Sequence, residues 1–406
     1  MGQAKDASYG IPLASGTLYY VLTSLVVFVG GCMMRGLFTA HTVGGRVVGG
    51  DLGAFFLNWD GQWFKDIAIN GYTYIPDRQS SVNFFPAYPA IARATSAVTG
   101  LDIDVALVVV ANLCLLTTFI ILGRYVQERF GAAESRLAKF VMLAFGLAPP
   151  SFFFRVAYSE SLLLLVTLLA LYGMCRRWPL AALAMLVGLA TAVRPVGVAL
   201  VPALAHHVWT RQPKARAGAV CLAWLIPLAL WGLAAYMAYL YFRFGDPFIF
   251  VESHRAWNKY PDASFVEKVW AIETLHPFWS RFIPSSPAYW ARHDGQHNPI
   301  LSLYLADPFY FFTAVFFVVV GARRGWLTTS EILVSVGLLG MPMALKCYET
   351  NMEGFARYAA VVLPVYLVVG KILSCATVLV AMVLLIISCC LLAIYTALFA
   401  QWYVLL

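Results

Sequence analysis

The sequence predicts an all-α, multi-pass membrane protein, and three observations lead to that fold class. Hydrophobic residues make up 61% of the 406 residues and charged residues only 12%, whereas soluble domains carry roughly 25% charged residues. Apolar runs of about 20 residues, each long enough to cross a bilayer core, recur along the chain. Basic residues gather in every second connection between these runs. We therefore expect one integral membrane domain over residues 1–406.

The apolar runs predict a bundle of about 11 transmembrane helices. The fifth and sixth runs are short and would also fit one bent helix, and the last is long enough to be tilted or broken. The runs cover residues 18–37, 104–122, 137–156, 161–175, 179–193, 195–209, 217–242, 301–321, 327–345, 355–370 and 372–403.

The short connections orient the bundle, because basic residues favour the cytoplasmic side. With a cytoplasmic N-terminus, the inner connections hold Lys5, Arg124, Arg129, Arg136, Lys139, Arg176, Arg177, Arg211, Lys214, Arg216, Arg323, Arg324 and Lys371. Topology thus accounts for the net charge of +8, and no nucleic-acid partner is expected. Two large segments, 39–103 and 243–299, then lie on the outer face. Within the first, 83–100 is expected to be an amphipathic helix at the membrane surface.

Asp60 is the first candidate for chemistry. It lies between Trp59 and Trp63 at the expected outer edge of the membrane, and Gly61 permits close approach of the backbone to another group. A partly desolvated carboxylate in such a place suits general-base catalysis. The alternative is structural: Asp60 opens an amphipathic helix, and aspartate is a favoured N-cap residue.

Glu160 is the second candidate and follows Tyr158 at the point where a predicted helix meets the outer surface. With Ser159 it would cap that helix, whose first turn favours an acidic residue. Arg155 lies about one helical turn earlier and is the expected ion-pair partner of Glu160.

Two arginines are candidates for holding a phosphate. Arg194 lies between two short apolar runs, where a charge is costly unless it faces an anion. Arg357, followed by Tyr358, stands at the outer end of another run. A guanidinium fork suits phosphate, and the alternative for Arg194 is a side chain that reaches to the membrane surface.

Three further patterns stand out in the sequence. Phe84, Phe85 and Tyr88 form an aromatic patch that fits either interfacial anchoring or a binding site. The run Gly245-Asp246-Pro247 predicts a turn. The residues 293–297, His-Asp-Gly-Gln-His, are read as a polar loop, and neither a metal site nor a cofactor is expected.

Taken in order, these segments resemble the PIG-V-like mannosyltransferases, the family of the second GPI mannosyltransferase. The matching pieces span most of the chain: Trp59-Asp60-Gly61 to Gly71-Tyr72, Phe84-Phe85-Pro86-Ala87-Tyr88-Pro89, Tyr158-Ser159-Glu160-Ser161, Leu189-Ala190-Thr191-Ala192-Val193-Arg194, Gly245-Asp246-Pro247 and Arg357-Tyr358.

The resemblance implies a GT-C glycosyltransferase that takes a sugar, usually mannose, from a polyprenyl-phosphate carrier and inverts its anomeric carbon. It implies that Asp60 is the catalytic base. The acceptor would be a lipid, a glycan or a protein, and the active site would face the extracytoplasmic or lumenal side, at the plasma membrane of a prokaryote. The residues expected to contact substrate are Trp59, Gln62, Phe84, Phe85, Tyr88, Tyr158, Glu160, Arg194, Arg357 and Tyr358.

Three alternatives stay open at this point. A GT-C enzyme that moves a different sugar would share the fold and the base, and only the donor separates the two. A lipid or solute transporter would place ionisable residues near mid-bilayer and show repeat symmetry. A membrane scaffold would keep the fold without turnover.

Overall fold

A computed structural model describes residues 3–37, 41–43, 46–48, 53–131, 135–212, 214–258, 260, 263–286, 289 and 303–402. The described chain is mostly helical. Its α-helices are α1 Gln3–Leu37, α2 Asp60–Asn70, α3 Ala87–Thr99, α4 Ile103–Phe130, α5 Ser135–Leu147, α6 Glu160–Cys175, α7 Leu180–Val193, α8 Val201–Arg211, α9 Ala215–Ala229, α10 Trp231–Phe244, α11 Ile249–Glu252, α12 Phe265–Glu273, α13 His276–Trp279, α14 Leu303–Arg323, α15 Thr329–Lys346, α16 Phe355–Ala360, α17 Leu363–Cys375 and α18 Val378–Ala400.

Short 3₁₀ segments join several of these helices, at Ala54–Leu57, Ser81–Asn83, Pro149–Phe154, Pro195–Leu200, Ser253–Trp257 and Ser280–Phe282. The expected all-α class needs one small correction. Strands β1 His41–Val43 and β2 Arg46–Val48 pair antiparallel, with Thr42 opposite Val47.

The described helices support an integral, multi-pass membrane protein. Five are long and apolar enough to cross a bilayer, at Leu13–Met33 and in α4, α14, α15 and α18. A sixth span is possible if α9 and α10 count as one helix, bent by 47°. Three shorter apolar helices, α6, α7 and α17, add to these. Each of the eleven predicted runs falls largely on helical segments, but the count of about 11 spans is not confirmed.

Two boundaries differ from the prediction. The fifth and sixth runs are separate helices, α7 and α8, because the 3₁₀ segment Pro195–Leu200 comes between them. The tenth run extends to Cys375, and α18 begins only at Val378, where the Thr377 hydroxyl accepts a hydrogen bond from the Val380 amide. A polar N-cap therefore sets the start of the last helix.

The helices pack closely where side chains are small. A Cβ on Gly30 of α1 would lie 2.6 Å from the carbonyl oxygen of Ala393 in α18, and one on Gly370 of α17 would lie 2.8 Å from Val141 Cα in α5. Any side chain at either position would push two helices apart. Small residues at helix crossings serve this purpose in membranes.

Helix α3 lies within the segment 83–100, where an amphipathic surface helix was predicted. It buries Tyr88, Pro89 and Ala92, packs its buried face on α4, and leaves Val98 87% exposed. That α3 lies at the membrane surface stays a prediction.

Ion pairs mark the two ends of the bundle. At one end, the C-terminal half of α4 meets the start of α15, where Arg129 Nη2 lies 2.9 Å from Glu331 Oε2. Five segments meet at the opposite end: the beginnings of α2 and α6, the ends of α7 and α15, and the short helix α16. Chain connections that alternate between the ends, as the basic loops predict, bring these five segments together.

Candidate functional site

Four charged side chains from four different segments meet at this second end. Arg357 of α16 donates through Nη1 to Asp60 Oδ2 at 2.5 Å, and its Nε lies 3.1 Å from Glu160 Oε1. Arg194, which follows α7, donates through Nη1 to the same oxygen of Glu160. Their exposed side-chain fractions run from 1% for Glu160 to 17% for Arg194. We call these four residues the ion cluster.

Local backbone geometry places Asp60 at the start of α2. Trp59 precedes it at φ 56° and ψ −117°, a sparsely populated conformation for a residue with a side chain, which costs about 1–3 kcal/mol. The Asp60 amide donates to the Tyr158 hydroxyl at 3.2 Å, and that hydroxyl donates to the Asn58 carbonyl at 3.2 Å. Lys65 ties α2 to α4 through Asp104 at 2.7 Å. The strained turn is thus fixed from two sides.

The N-cap alternative for Asp60 is wrong. Asp60 is the first helical residue, Trp59 occupies the N-cap position, and the helix has no side-chain cap bond. The carboxylate points instead to Arg357. A surface cap would not need an arginine from the far end of the sequence.

Glu160 is the first residue of α6, and its carboxylate, like that of Asp60, pairs with arginines of the ion cluster and does not cap its helix. Ser159 is the N-cap residue and makes no side-chain cap bond. Oxygen Oε1 holds both arginines, while Oε2 is buried and has no hydrogen-bond partner among the described residues. A buried carboxylate oxygen without a donor is costly, so it is a place where a substrate hydroxyl gains a hydrogen bond.

The expected pair of Arg155 with Glu160 is not formed. Arg155 is 2% exposed and turns away to α1, where it donates to Thr23 Oγ1 at 2.6 Å and Ser24 Oγ at 3.0 Å. It also donates to the Ser151 carbonyl at 3.0 Å. The one-turn spacing argument fails because residues 155–159 are not helical.

Tyr358 forms the wall of the cluster. Three cations lie close to its ring centroid: Arg194 Cζ at 5.6 Å, Lys346 Nζ at 5.8 Å and Arg357 Cζ at 5.9 Å. Aromatic faces attract cations at such distances. Lys346 Nζ also donates to the Tyr358 hydroxyl at 3.4 Å.

A small cavity opens beside the cluster. The two arginines and Tyr358 form its polar side, and apolar residues form the rest: Leu163, Val196, Leu338 and Val361. The cavity has room for about one water molecule, and it combines charged donors on one side with branched aliphatic side chains on the other.

Aromatic side chains surround the approach to α2. Phe84 stacks on Trp63 at 5.8 Å between ring centroids and meets Trp257 edge-on at 5.9 Å. The ring of Trp59 lies 5.2 Å from that of Trp402, and its indole nitrogen is buried without a partner among the described residues. Gln62 is exposed and donates to the Leu57 carbonyl at 3.0 Å.

Phe85 and Tyr88 do not line a sugar site, as the sequence had led us to expect, because both are buried. Phe85 is 2% exposed and packs on Tyr236, with ring centroids 4.8 Å apart, in a separate apolar cluster. Tyr88 is fully buried and donates to the Leu107 carbonyl at 2.8 Å, which fixes α3 on α4. Both are packing residues.

The remaining sequence predictions have mixed outcomes. Asp246 forms the predicted turn, because its Oδ1 accepts from the Phe248 amide at 2.7 Å and Gly245 has φ 85°. The 293–297 loop lies outside the described residues. Across the described ranges, no group of three or more His, Cys, Asp or Glu side chains could hold a metal.

Lys346 also belongs to the candidate site, but it was not predicted because no sequence motif contains it. It is the last residue of α15 and stands beside Tyr358. The sequence did carry a signal for it, because Lys346 stands at the predicted outer end of an apolar run, where the positive-inside pattern does not favour a lysine. Such a lysine is expected to have a local reason for its position.

Comparison with known protein families gives one match. Residues 41–215 match the family model described as Mannosyltransferase (PIG-V), so the predicted resemblance is confirmed over the segment that holds Asp60, Glu160 and Arg194. No curated protein matches the chain.

Solved structures of an Archaeoglobus fulgidus oligosaccharyltransferase also align with the chain. One, tethered to an acceptor peptide, is 12% identical, with a TM-score of 0.47, over 95% of this chain and 55% of that chain. Another, of AglB with an inhibitory peptide and a dolichol-phosphate, is 13% identical, with a TM-score of 0.44, over 94% of this chain and 55% of that chain. The chain thus spans about half the length of these structures.

Proposed function

We propose that this chain, whose residues 41–215 match the mannosyltransferase (PIG-V) model, is an inverting membrane glycosyltransferase of the GT-C type. It moves a mannose-type sugar from a polyprenyl-phosphate carrier to a lipid, glycan or protein acceptor at the extracytoplasmic or lumenal face. The observation that carries the proposal is the 2.5 Å contact of Asp60 with Arg357. It joins a candidate base and a candidate phosphate-binding cation at one end of an apolar bundle.

The reaction is a single displacement. The acceptor hydroxyl attacks C1 of the sugar and gives its proton to the Asp60 carboxylate, while the bond from C1 to the phosphate oxygen breaks and its electron pair leaves with the lipid phosphate. General-base catalysis of this kind contributes about 10²–10⁴-fold. Attack from the face opposite the leaving phosphate inverts the anomeric carbon.

The arginines stabilise the leaving group. Arg194 and Arg357 are already fixed by Glu160 and Asp60, so they need little reorganisation when charge develops on the phosphate oxygen. A phosphate that binds Arg357 also competes for the cation that holds Asp60. The base then becomes free when the donor is in place. The leaving phosphate is itself an anion, so the proposal requires no metal and no cofactor.

The surroundings fit the two substrates. The cavity beside Arg194 and Arg357 has apolar walls, and these would have to move apart to receive the first isoprene units of the carrier. The buried Oε2 of Glu160 would accept a hydrogen bond from a sugar hydroxyl. Phe84, Trp63 and Trp257 form an aromatic surface on which a sugar ring can stack. Trp59, Gln62 and Tyr158 would contact the donor or hold Asp60.

The test is transfer of labelled mannose from polyprenyl-phosphate-mannose to extracted membrane lipids by the purified protein in nanodiscs. We expect Asp60→Asn to lower the single-turnover rate by at least about 100-fold while donor binding is retained. Asp66→Asn is the matched control, because Asp66 lies on the same helix and bonds only to Asn70 among the described residues.

A wild-type rate in Asp60→Asn would remove Asp60 from the role of base. Donors carrying other sugars, tested in parallel, decide between mannose and another hexose. Absence of transfer from every polyprenyl-phosphate sugar, in a folded wild-type protein, would contradict the proposed function as a whole.

A further inference from the structure

The charges around Tyr358 do not balance, and that imbalance points to a subsite. Two carboxylates, Asp60 and Glu160, face the cations Arg194, Arg357 and Lys346. The arginines account for both carboxylates. No carboxylate of the described residues lies within ion-pair distance of Lys346, whose Nζ donates to the Tyr358 hydroxyl at 3.4 Å. Within the part of the chain that the structure describes, one positive charge is therefore left over.

This surplus charge is held in a confined place. Lys346 is half-buried, and two further cations, Arg194 and Arg357, lie within 6 Å of the same Tyr358 ring. Like charges near one ring repel each other, and the repulsion is larger where water is partly excluded. The arrangement becomes favourable when an anion enters and contacts Lys346.

The second group at this position is a hydroxyl that can donate. Because Tyr358 accepts from Lys346, its own O–H is free to point to another acceptor. An ammonium and a phenol side by side supply two donors to the oxygens of one phosphate. His254 adds no charge here, because desolvation, and secondly the charge of Lys346, lower its pKa to about 3.

We propose that Lys346 and Tyr358 form a phosphate subsite that binds the monoester headgroup of the carrier lipid after sugar transfer. The inference rests on the proposed function. A sugar-linked phosphodiester carries one negative charge, whereas the released monoester carries about 1.5 to 2 at neutral pH. The arginines stabilise the negative charge that develops on the phosphate during displacement, and Lys346 binds the additional negative charge of the product.

The experiment measures binding and needs no turnover. Polyprenyl phosphate, the neutral polyprenol and inorganic phosphate are each titrated against the purified protein in nanodiscs, with wild type, Lys346→Met, Lys346→Arg and Tyr358→Phe. We expect Lys346→Met to raise the Kd for polyprenyl phosphate about tenfold or more and to weaken its salt dependence. Lys346→Arg should restore binding to within about threefold of wild type, and polyprenol binding should be unchanged throughout.

Lys268→Met is the matched control, because Lys268 is also a half-buried lysine but pairs with Glu349. Its Kd for polyprenyl phosphate should stay at the wild-type value. If inorganic phosphate binds wild type but not Lys346→Met, the result supports the subsite and shows that the phosphate headgroup alone is sufficient for binding. If Lys346→Met binds polyprenyl phosphate as tightly as wild type, the proposal is overturned.

Two readouts separate this inference from the proposed function. If Asp60→Asn transfers sugar normally, the assigned base is wrong, while the Kd measurements still report on Lys346. If transfer depends on Asp60 but the Kd for polyprenyl phosphate does not depend on Lys346 or Tyr358, the proposed function is supported and the proposed subsite is wrong. Tyr358→Phe covers the case in which Lys346→Met does not fold, and is expected to raise the same Kd severalfold.

Discussion

Arg357 and Asp60 stand 297 positions apart in the chain, and their side chains meet at 2.5 Å. The same guanidinium lies 3.1 Å from Glu160, so one residue of the short helix α16 links the starts of α2 and α6. The side chains of the pair are only 10% and 14% exposed. Breaking such a pair leaves a buried charge without its partner, which is far more costly than losing a surface ion pair.

Arg357→Met is therefore expected to lower the free energy of unfolding by about 3–5 kcal/mol and to abolish transfer. Arg357→Lys keeps the charge but not the fork, so it should recover part of the stability and little of the activity. Thermal unfolding in detergent micelles and the transfer assay measure the two effects.

The control for Arg357 is Arg176→Met at the opposite end of the bundle. Arg176 pairs with Glu128 at 2.6 Å, but these side chains are 48% and 37% exposed, so the cost should be about 0–1 kcal/mol. An equal loss of stability in the two variants would contradict the view that burial makes the Arg357 pairs important.

Tyr158→Phe tests the support of the strained turn. The change removes the hydroxyl that accepts from the Asp60 amide and donates to the Asn58 carbonyl, each at 3.2 Å. Two buried backbone groups lose a partner, at a cost of about 1–3 kcal/mol. We expect the rate of transfer to fall about tenfold with little change in KM, because Asp60 is less well positioned while the arginines keep their places.

Tyr236→Phe is the matched variant for Tyr158. Tyr236 is 1% exposed and donates to the Val82 carbonyl at 2.7 Å in the other apolar cluster. Its loss of stability should be similar and its rate unchanged. A rate loss as large in Tyr236→Phe would mean that Tyr158 acts only through general stability.

His254 gives the fold a predictable response to acid. Its pKa falls from 6.5 to about 3 because of desolvation and then Lys346. Below pH 6.5 the unfolded chain binds a proton that the folded chain does not, so stability present at neutral pH is lost as the pH falls toward 3. At pH 5 the loss is about 1–2 kcal/mol.

The check is thermal unfolding of wild type and His254→Asn at pH 5 and pH 8. The variant should lose less stability between the two values, because asparagine takes up no proton. His276→Asn is a useful comparison, since desolvation lowers the pKa of His276 as well. If wild type and His254→Asn change in parallel, protons on other groups account for the whole response.

Much of the site was predictable because charged residues at helix ends are conspicuous in an apolar chain. Asp60, Glu160, Arg194 and Arg357 each stood out as a costly charge beside an apolar run. The alternation of basic loops placed all four at the same end. Their pairing was not predictable, since helix ends that share a membrane face need not be lateral neighbours.

The errors arose where the backbone is irregular. A spacing of one turn brings Arg155 to Glu160 only along a continuous helix, and the 3₁₀ segment Pro149–Phe154 with the non-helical residues after it turns Arg155 toward Ser24. Phe84 and Phe85 are adjacent in sequence and face different clusters, because Phe84 is extended after a 3₁₀ turn. The helical spacing of 3.6 residues per turn cannot be used to predict side-chain neighbours in such non-helical segments.

The length of α6 bears on the depth at which the proposed transfer would take place. Its 16 residues measure about 24 Å at 1.5 Å per residue, whereas a bilayer core is about 30 Å thick. Glu160 begins this helix and Arg176 directly follows it, so if Arg176 lies at the headgroups of one face, the carboxylate of Glu160 is recessed below the headgroups of the other. We expect an acceptor tethered to the membrane to reach this level readily, while a freely diffusing one would have to insert its hydroxyl into the mouth of the bundle.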